Sequence, residues 1–561
     1  MNSMQRNLEG KSEVLRKLIP VATQLEPLNA LSSLSAQIAS TDRILLLSAI
    51  KETRKAFEQR VGLIDRCFRV KPFIHKHGNS LVRIETKEPA SLSFQALGAT
   101  SEVYEYDVAI MRGSIVQPLP RLLATLYGHG IEMGLHPTLL GLADEGFANL
   151  VIERPLRVVA FLAQCSANLW LQTNGLIEKI VTLWSSFFRL WEQMMGISTA
   201  ETVGCDYQLL QQAAAVLHPD ELIVRMVHKL NLKDYLSEKS SQPSSGSVQA
   251  AESLLRVLHF IVTSRSIHGV GYFDPSIVAA IPSLPQLFPP DFNDLDESLE
   301  IEDAVLVDDI IHQLCLRPMT PSEVCSALPS HTFRSCLYEL PPYCGLRGSA
   351  GHNSSTSIGD RKLAVRRLND KIGPISNILQ KVATQMLVGE DVKVTLRPDV
   401  LVVRFDLFHP SYGSKQQSEA KDAVIQSLTQ AHEVNANLFP VDFPIPPPPP
   451  RPRRRFLSHL NAPILRLLRC PTFVRLLRQL LDIGIKYGSQ QSRWSETLLE
   501  LVLHLIIIAL YEDFVAFTET GERPFLKAVS LVPEASESAE ELEHLAELRH
   551  WERQDPPAST N

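Results

Sequence analysis

The sequence has few cysteines, and their spacing suits neither a disulfide framework nor a structural metal site. Eight cysteines are scattered along 561 residues without a Cys-x-x-Cys pair. The nearest approach to a zinc set has gaps of ten, seven and seven residues, unlike the close ligand pairs of structural zinc sites. Its members are Cys325, Cys336, Cys344 and His352. Because no secretory signal peptide is recognisable either, we expect free thiols in a reducing compartment, the cytoplasm or the nucleus.

Excess positive charge and long apolar runs are also lacking. The chain has 55 Lys and Arg against 62 Asp and Glu, a formal net charge of −7. Proteins that bind nucleic acid through its phosphates are normally basic, so nucleic acid is not expected as the main partner. The most apolar stretch, Leu498 to Tyr511, is too short to cross a membrane and contains Glu500 and His504. We interpret it as a buried helix and expect no membrane partner.

The sequence motifs of several enzyme classes are absent. There is no GxxxxGK phosphate loop, no GxGxxG dinucleotide motif, no GxSxG nucleophile elbow and no HExxH zinc helix. The seventeen histidines have no carboxylate or cysteine neighbour at a constant spacing. We therefore expect no catalytic residue, no cofactor-binding residue and no metal ligand in this chain.

Most of the sequence has the apolar spacing of helices, which predicts a mainly α fold. The length allows three or four domains. Residues 1–102 are predicted as a mixed helix and strand region. Residues 103–300 are predicted as a helical scaffold, in which Pro155 opens one helix and Asp220 caps another. One aromatic stripe at helical spacing is interpreted as core rather than as a cofactor cage; it comprises Trp184, Phe187, Phe188 and Trp191.

The stretch from Asp303 to Pro329 predicts two helices joined by a tight turn. Thr320 and Glu323 form a capping box at the start of the second helix. A third helix is predicted from Pro374 to Leu387. Two β-branched runs then predict a hairpin, Val392 to Leu396 and Val400 to Phe405. Helix, helix, helix, hairpin is the order of a winged helix.

The predicted winged-helix domain occupies residues 301–412, with a flexible Gly/Ser-rich insertion at about 330–373. DNA contact by the third helix is the obvious alternative for such a domain. That helix has only Lys381 as a basic residue, so we predict a protein-binding or structural domain instead. The basic cluster before it is interpreted as a solvated helix face; it comprises Arg361, Lys362, Arg366, Arg367 and Lys371.

Three segments follow the predicted hairpin. Residues 413–455 are predicted as a helix and a semi-rigid Pro/Arg-rich spacer, with an SH3 or WW ligand at 444–455 as the alternative. Residues 456–520 are predicted as a C-terminal helical segment, in which Ser495 starts a helix. Residues 521–561 are predicted as an acidic, loosely ordered tail.

Several stretches of this sequence resemble the UBR-type N-recognins, the RING-type E3 ubiquitin-protein ligases of the N-degron (N-end rule) pathway. IIHQLCLRPMTPSEVCSALP, from Ile310 to Pro329, is similar to their winged-helix segment. The resemblance runs over roughly three quarters of the chain, from about Val103 to Asp513. The other similar stretches are Tyr106–Val108, Ser114–Leu119 with Arg121, Ile152–Arg157, Ala163–Gln164, Trp170, Asn174–Gly175, Phe405–His409, Ser414–Lys421, Trp494–Glu496, Leu501–Leu505 and Ala509–Leu510.

The resemblance implies a ligase that brings an E2 ubiquitin-conjugating enzyme beside an N-degron substrate, so that ubiquitin is transferred and the substrate is degraded. In that family zinc is held by a UBR box and a RING, and neither Cys/His array exists in this sequence. We therefore expect the scaffold part of such a ligase, inactive alone, present as a fragment or as a divergent scaffold. A non-catalytic adaptor that bridges proteins is the alternative, and a winged-helix regulator of transcription is a third hypothesis.

Overall fold

The computed structural model describes residues 43–64, 67–74, 80–87, 91–106, 111–112, 118–132, 135, 139–141, 145–166, 199–237, 245–263, 303–328, 375–388, 391–409, 412, 414–434, 462–488, 490 and 493–532. Helices dominate these residues, which confirms the predicted mainly α fold. Within the same ranges no helix is both long and apolar enough to cross a membrane.

In the N-terminal part, the described residues form one helix and two small antiparallel sheets. Its elements are α1 (Arg43–Ile64), β1 (Cys67–Ile74), β2 (Ser80–Lys87), β3 (Ser91–Ala96), β4 (Ala99–Tyr104) and β5 (Met111–Arg112). Strand β1 pairs with β2 and β5, and β3 pairs with β4. The tight turn between β3 and β4 is made by Leu97 and Gly98, both at positive φ, which suits the right-handed twist of a hairpin.

In the scaffold that follows, the described residues form six helices. They are α2 (Pro118–Glu132), α3 (Glu145–Ser166), α4 (Thr199–Val216), α5 (Pro219–Lys229), α6 (Lys233–Leu236) and α7 (Ser245–Thr263). Helix α4 packs against α2 and α3, and α7 packs against α3 and α4. The described scaffold helices are therefore in direct contact with one another, including helices that are not adjacent in sequence.

Two sequence predictions in this scaffold are wrong. Pro155 does not open a helix but lies inside α3, where burial of Val151 and Ile152 in the preceding turn offsets the lost backbone donor. Asp220 does not cap α5, whose N-cap is His218 without a side-chain hydrogen bond. Its Oδ1 instead accepts from the backbone N–H of Thr472 at 3.0 Å, so it caps a distant helix.

The next elements surround another two-stranded hairpin, which we call the second hairpin; the β3–β4 pair is the first hairpin. They are α8 (Asp303–Leu316), α9 (Pro321–Ala327), α10 (375–382), β6 (Ala383–Val388), β7 (Asp391–Leu396), α11 (Pro398–Arg404) and α12 (Ser414–Val434). Met319, between α8 and α9, exchanges backbone hydrogen bonds with Val394 of β7. The predicted capping box is confirmed: Thr320 Oγ1 accepts from the Glu323 N–H at 3.2 Å, and the Glu323 carboxylate accepts from the Thr320 N–H at 2.7 Å.

The predicted hairpin has one correct strand and one wrong one. The run Val392 to Leu396 lies in β7, but its partner is β6, which begins at Ala383 inside the segment predicted as the third helix. Val400 to Phe405 is not a strand, because Pro398 starts α11 there. Val400, Leu401 and Phe405 are buried at helical spacing, so tertiary burial overrides their β-branched propensity.

The C-terminal part is helical throughout its described residues. It comprises a 3-10 helix (Ala462–Arg469), α13 (Pro471–Tyr487), α14 (Glu496–Thr520) and α15 (Pro524–Leu531). Ser495 caps α14 as predicted, since its Oγ accepts from the Leu498 N–H at 3.1 Å. Helix α14, which includes the apolar run from Leu498 to Tyr511, packs against α7, α13 and α15.

One large cluster of buried side chains joins these parts, from Leu97 at the first hairpin to Ala528 in α15. A second, smaller cluster lies between α1, α2 and α3. The scaffold, the second hairpin and the C-terminal helices thus share a continuous core. The aromatic stripe, the basic cluster and the Pro/Arg-rich spacer lie outside the described residues.

Candidate functional site

Buried histidines and aspartates gather where α7, α8, α14 and the turn after α11 meet. Their position is set by apolar neighbours, since Ile310 and Ile311 in α8 and Leu505 in α14 are each at most 1% exposed. We call this group the junction network, and its members are His259, Asp308, Asp309, His312, Asp406, His409, Tyr412 and His504.

His312, at the centre of the network, has both ring nitrogens engaged. Nδ1 lies 2.7 Å from the backbone carbonyl oxygen of Asp308, one helical turn earlier, and Nε2 accepts from the N–H of Asp406 at 3.0 Å. These two bonds require the neutral tautomer with its proton on Nδ1. Burial is the main reason that the pKa of His312 falls to about 3, and the neighbouring His409 lowers it further.

The pKa of His409 is shifted in the opposite direction. Burial alone would lower its pKa, but the hydrogen bond to Asp308, at 3.1 Å from Nε2, and the charges of Asp308, Asp309 and Asp406 raise it above the ordinary value. Its ring stacks on that of His312 with centroids 3.8 Å apart and planes 10° apart. One buried histidine is therefore held neutral and its stacked neighbour favours the charged form.

Tyr412 is the last member of this half of the network and binds the backbone of α8. Its hydroxyl donates to the backbone carbonyl of His312 at 2.6 Å, and burial raises the pKa of Tyr412 above its ordinary value. The turn after α11 is thereby tied to α8 by hydrogen bonds from Asp406, His409 and Tyr412.

The other half of the network joins the same turn to α7 and α14. His259, Asp406 and His504 are 2%, 6% and 7% exposed, and each places one ligand-type atom within 4.8 Å of the others. Asp406 Oδ1 accepts from the Phe408 N–H at 3.0 Å and lies 3.5 Å from His504 Nε2. That nitrogen is buried and has no hydrogen-bond partner.

Among the described residues, two groups have the composition of a metal site, Asp308 with His312 and His409, and His259 with Asp406 and His504. In the first group, both ring nitrogens of His312 and Nε2 of His409 already take part in hydrogen bonds. The second has a donor set of two imidazoles and one carboxylate, which suits a borderline metal such as zinc.

The family-like stretches contribute buried ion pairs elsewhere in the scaffold. Arg121 of α2 donates to both carboxylate oxygens of Asp206 in α4, at 3.2 and 3.0 Å. Glu153 of α3 pairs with Arg157 at 3.0 Å and with Lys229 of α5. The Arg121–Asp206 and Glu153–Lys229 pairs connect different helices, whereas Glu153 and Arg157 pair within α3, and together they give the motif residues a structural role in the scaffold.

Of the four zinc candidates named from the sequence, Cys336, Cys344 and His352 lie outside the described residues. Cys325 is described as a half-buried thiol that is not in a disulfide. The junction network was missed because its members come from four distant segments. One signal was available: two family-like stretches, Phe405–His409 and Leu501–Leu505, each carry a polar residue among apolar ones, and these residues, Asp406 and His504, meet in the structure.

Comparisons with known proteins point to one family. Residues 77–260 match the model of the UBR1/2/3-like ARM repeat domain. The E3 ubiquitin-protein ligase UBR2 of Mus musculus is 23% identical over 445 residues, covering 76% of this chain and 20% of that protein. UBR1 of Homo sapiens is 23% identical and shares 75% of this chain, and UBR1 of Drosophila melanogaster is 23% identical and shares 74%, each over 19% of its own length. No solved structure matches the chain significantly.

The chain spans about a fifth of the length of the curated relatives it matches. The family model at residues 77–260 includes the scaffold helices that carry the buried ion pairs, and the similarity to UBR1 and UBR2 extends over about three quarters of the chain. The resemblance inferred from the sequence motifs is confirmed: the chain is similar to the UBR-type E3 ubiquitin-protein ligases UBR1 and UBR2, and its residues 77–260 match the model of the UBR1/2/3-like ARM repeat domain.

Proposed function

We propose that this chain is the scaffold portion of a RING-type E3 ubiquitin-protein ligase of the N-degron pathway, acting in the cytoplasm or the nucleus. The observation that carries the proposal is the match to UBR1 and UBR2 along three quarters of the chain. The transferase chemistry is assigned to the whole ligase, in which a zinc-bound UBR box would bind the substrate and a zinc-bound RING would bind the E2. This chain has neither array and is inactive alone.

The scaffold's contribution to ubiquitin transfer is positional. An E2 thioester and a substrate lysine react efficiently only when held close together in the correct orientation, which makes an intermolecular step effectively intramolecular. A continuous core from Leu97 to Ala528 supports this role, since it ties the described scaffold, hairpin and C-terminal helices together. Buried ion pairs such as Arg121 with Asp206 add directional contacts between helices.

The domain at 301–412 is proposed to be a winged helix that contacts protein rather than DNA. Its order of elements is α8, α9, α10 and the β6–β7 hairpin, with Met319 paired to the hairpin. On α10 the exposed residues are Ser376, Asn377 and Gln380, which are uncharged. Phosphate contacts that drive DNA binding need Lys or Arg, so this helix is poorly suited to the major groove.

The alternative is a non-catalytic adaptor that uses the same helices to bridge proteins. The proline run at 444–455 would then supply an SH3 or WW ligand, since polyproline II segments dock aromatic grooves. Adaptor and ligase scaffold differ in one property, which is whether the protein in the cell is joined to E2-binding and substrate-binding modules.

A paired ubiquitination assay tests the proposal. The 561-residue chain, incubated with E1, a panel of E2 enzymes, ubiquitin and ATP, is expected to form no ubiquitin ladder. The endogenous protein, immunoprecipitated through an epitope in Trp494–Asp513, is expected to run far above the mass of this chain on a denaturing gel and to form a ladder. An endogenous band at the mass of this chain without a ladder would favour the adaptor. A salt-sensitive shift of duplex DNA would instead support the transcription hypothesis.

A further inference from the structure

We propose that His259, Asp406 and His504 bind one zinc ion that fastens the turn after α11 to the scaffold. This inference is independent of the ligase proposal and assigns a metal to side chains that no sequence motif connects. The three residues come from α7, from the turn after α11 and from α14, and all three are buried.

The first argument is the donor set. Two imidazole nitrogens and one carboxylate oxygen are a common zinc environment, with a fourth position filled by a second carboxylate oxygen or by water. Zinc bonds of about 2.0–2.1 Å in a tetrahedral arrangement put neighbouring ligand atoms roughly 3.3 Å apart. The 3.5 Å between His504 Nε2 and Asp406 Oδ1 is already close to that value. All three ligand atoms lie within 4.8 Å of one another, so small side-chain rotations complete the site.

The second argument is the unused nitrogen of His504. The His504 side chain is only 7% exposed, and its Nε2 has no hydrogen-bond partner. A buried polar atom without a partner is uncommon and needs an explanation. The Asp406 carboxylate lies 3.5 Å from this nitrogen, and a zinc ion bound to both atoms would give the nitrogen the partner that it lacks.

The third argument is the support around the ligands. The Asp406 carboxylate is oriented by the Phe408 N–H, and the Asp406 backbone is held by His312 Nε2. Such contacts in the outer shell set ligand orientation in known metal sites. Phe408 also packs against both imidazoles, with ring centroids 5.8 Å from His259 and 5.0 Å from His504, which shields the position from water.

The neighbouring group of Asp308, His312 and His409 also has the composition of a metal site, but its nitrogens are already hydrogen-bonded. His312 has both nitrogens in hydrogen bonds, and His409 Nε2 is paired with Asp308. A metal there would have to break those bonds, whereas at His259, Asp406 and His504 it would satisfy an unpaired nitrogen. The geometry therefore favours one ion at the second group.

The test uses the full chain, stripped with a chelator and then titrated with zinc by calorimetry and with cobalt by absorption. We expect one tight site per chain, visible cobalt bands of a tetrahedral centre, and no near-ultraviolet thiolate band, because the ligands are nitrogen and oxygen. Zinc should also raise the melting temperature. Asp406→Asn and His504→Gln should each weaken this site by at least about 100-fold, the upper range for outer-shell changes.

His218→Gln is the matched control, because His218 is exposed and lies outside the network; it should bind zinc as the unmodified chain does. Circular dichroism of the metal-free variants separates lost ligation from lost folding. If both ligand variants fail to fold, the cobalt spectrum of the unmodified chain decides. The proposal is overturned if that chain binds no stoichiometric zinc, if the cobalt spectrum has thiolate bands, or if folded ligand variants bind as tightly as the control.

Discussion

Replacing Glu153 by glutamine should destabilise the scaffold far more than the same change at a surface site. The carboxylate of Glu153 pairs with Arg157 of its own helix and with Lys229 of α5, whose side chains are 9% and 2% exposed. Lys229 Nζ also donates to the backbone carbonyl of Tyr104 at 2.8 Å, so it is held in place when the carboxylate is lost. Glutamine keeps the size of the side chain but removes the negative charge that both buried cations contact.

The magnitude follows from burial. Removing one partner of a buried ion pair costs about 3–5 kcal/mol, because the remaining charge stays desolvated. For a cooperative segment of about the length matched by the ARM repeat model, that corresponds to a fall of roughly 6–20 °C in melting temperature. A loss of this size is a large part of the roughly 5–15 kcal/mol that stabilises a typical domain.

Glu58→Gln is the matched control for this measurement. It breaks another Arg–Glu pair at i,i+4 spacing, Arg54 with Glu58, whose side chains are 24% and 45% exposed. Exposed helix pairs contribute about 0.3–0.5 kcal/mol, so the melting temperature should scarcely change. Differential scanning fluorimetry and urea unfolding of the two variants measure the contrast. Equal effects of the two substitutions would refute the argument that burial sets the energy of the Glu153 pairs.

Three further predictions concern local contacts. Thr320→Ala should cost about 1 kcal/mol in urea unfolding through loss of the capping box, whereas Thr320→Ser should be nearly neutral. Gly484→Ala should destabilise α13 by about 1–3 kcal/mol, because the added Cβ would lie 2.7 Å from the Trp494 ring; an unchanged unfolding midpoint would contradict this packing. The raised pKa of His409 means that its charged form stabilises the fold, fully below the unfolded value of about 6.5 and less as the pH rises through the folded pKa. His409→Gln should therefore lower the melting temperature more at pH 6 than at pH 9, and a loss that does not depend on pH would count against its pair with Asp308.

Features set by a few adjacent residues were predictable from the sequence. The capping box of Thr320 and the Ser495 cap were correct because both depend on backbone groups within one helical turn. The family resemblance was also predictable from the sequence, because it depends on the order of short similar stretches along the chain.

Features decided by distant packing were not predictable in this way. Val400 to Phe405 has the composition of a strand, yet it is helical because one helical face is buried. Asp220 has the chemistry of a helix cap, but the helix it caps lies 252 residues away. The ligand atoms of His259, Asp406 and His504 meet only in the folded chain, so no spacing rule could have found them.

The turn between β3 and β4 has a consequence for how the protein is made. Its Leu97 carbonyl accepts a hydrogen bond from Arg475 at 3.1 Å, across 378 residues of sequence. At ribosomal speeds of about 5–20 residues per second, Arg475 is synthesised roughly 20 to 75 seconds after Leu97. During that interval the surfaces of the first hairpin and of α5 that α13 later covers are open to solvent, so we expect nascent chains of this protein to associate with chaperones until α13 has left the ribosome.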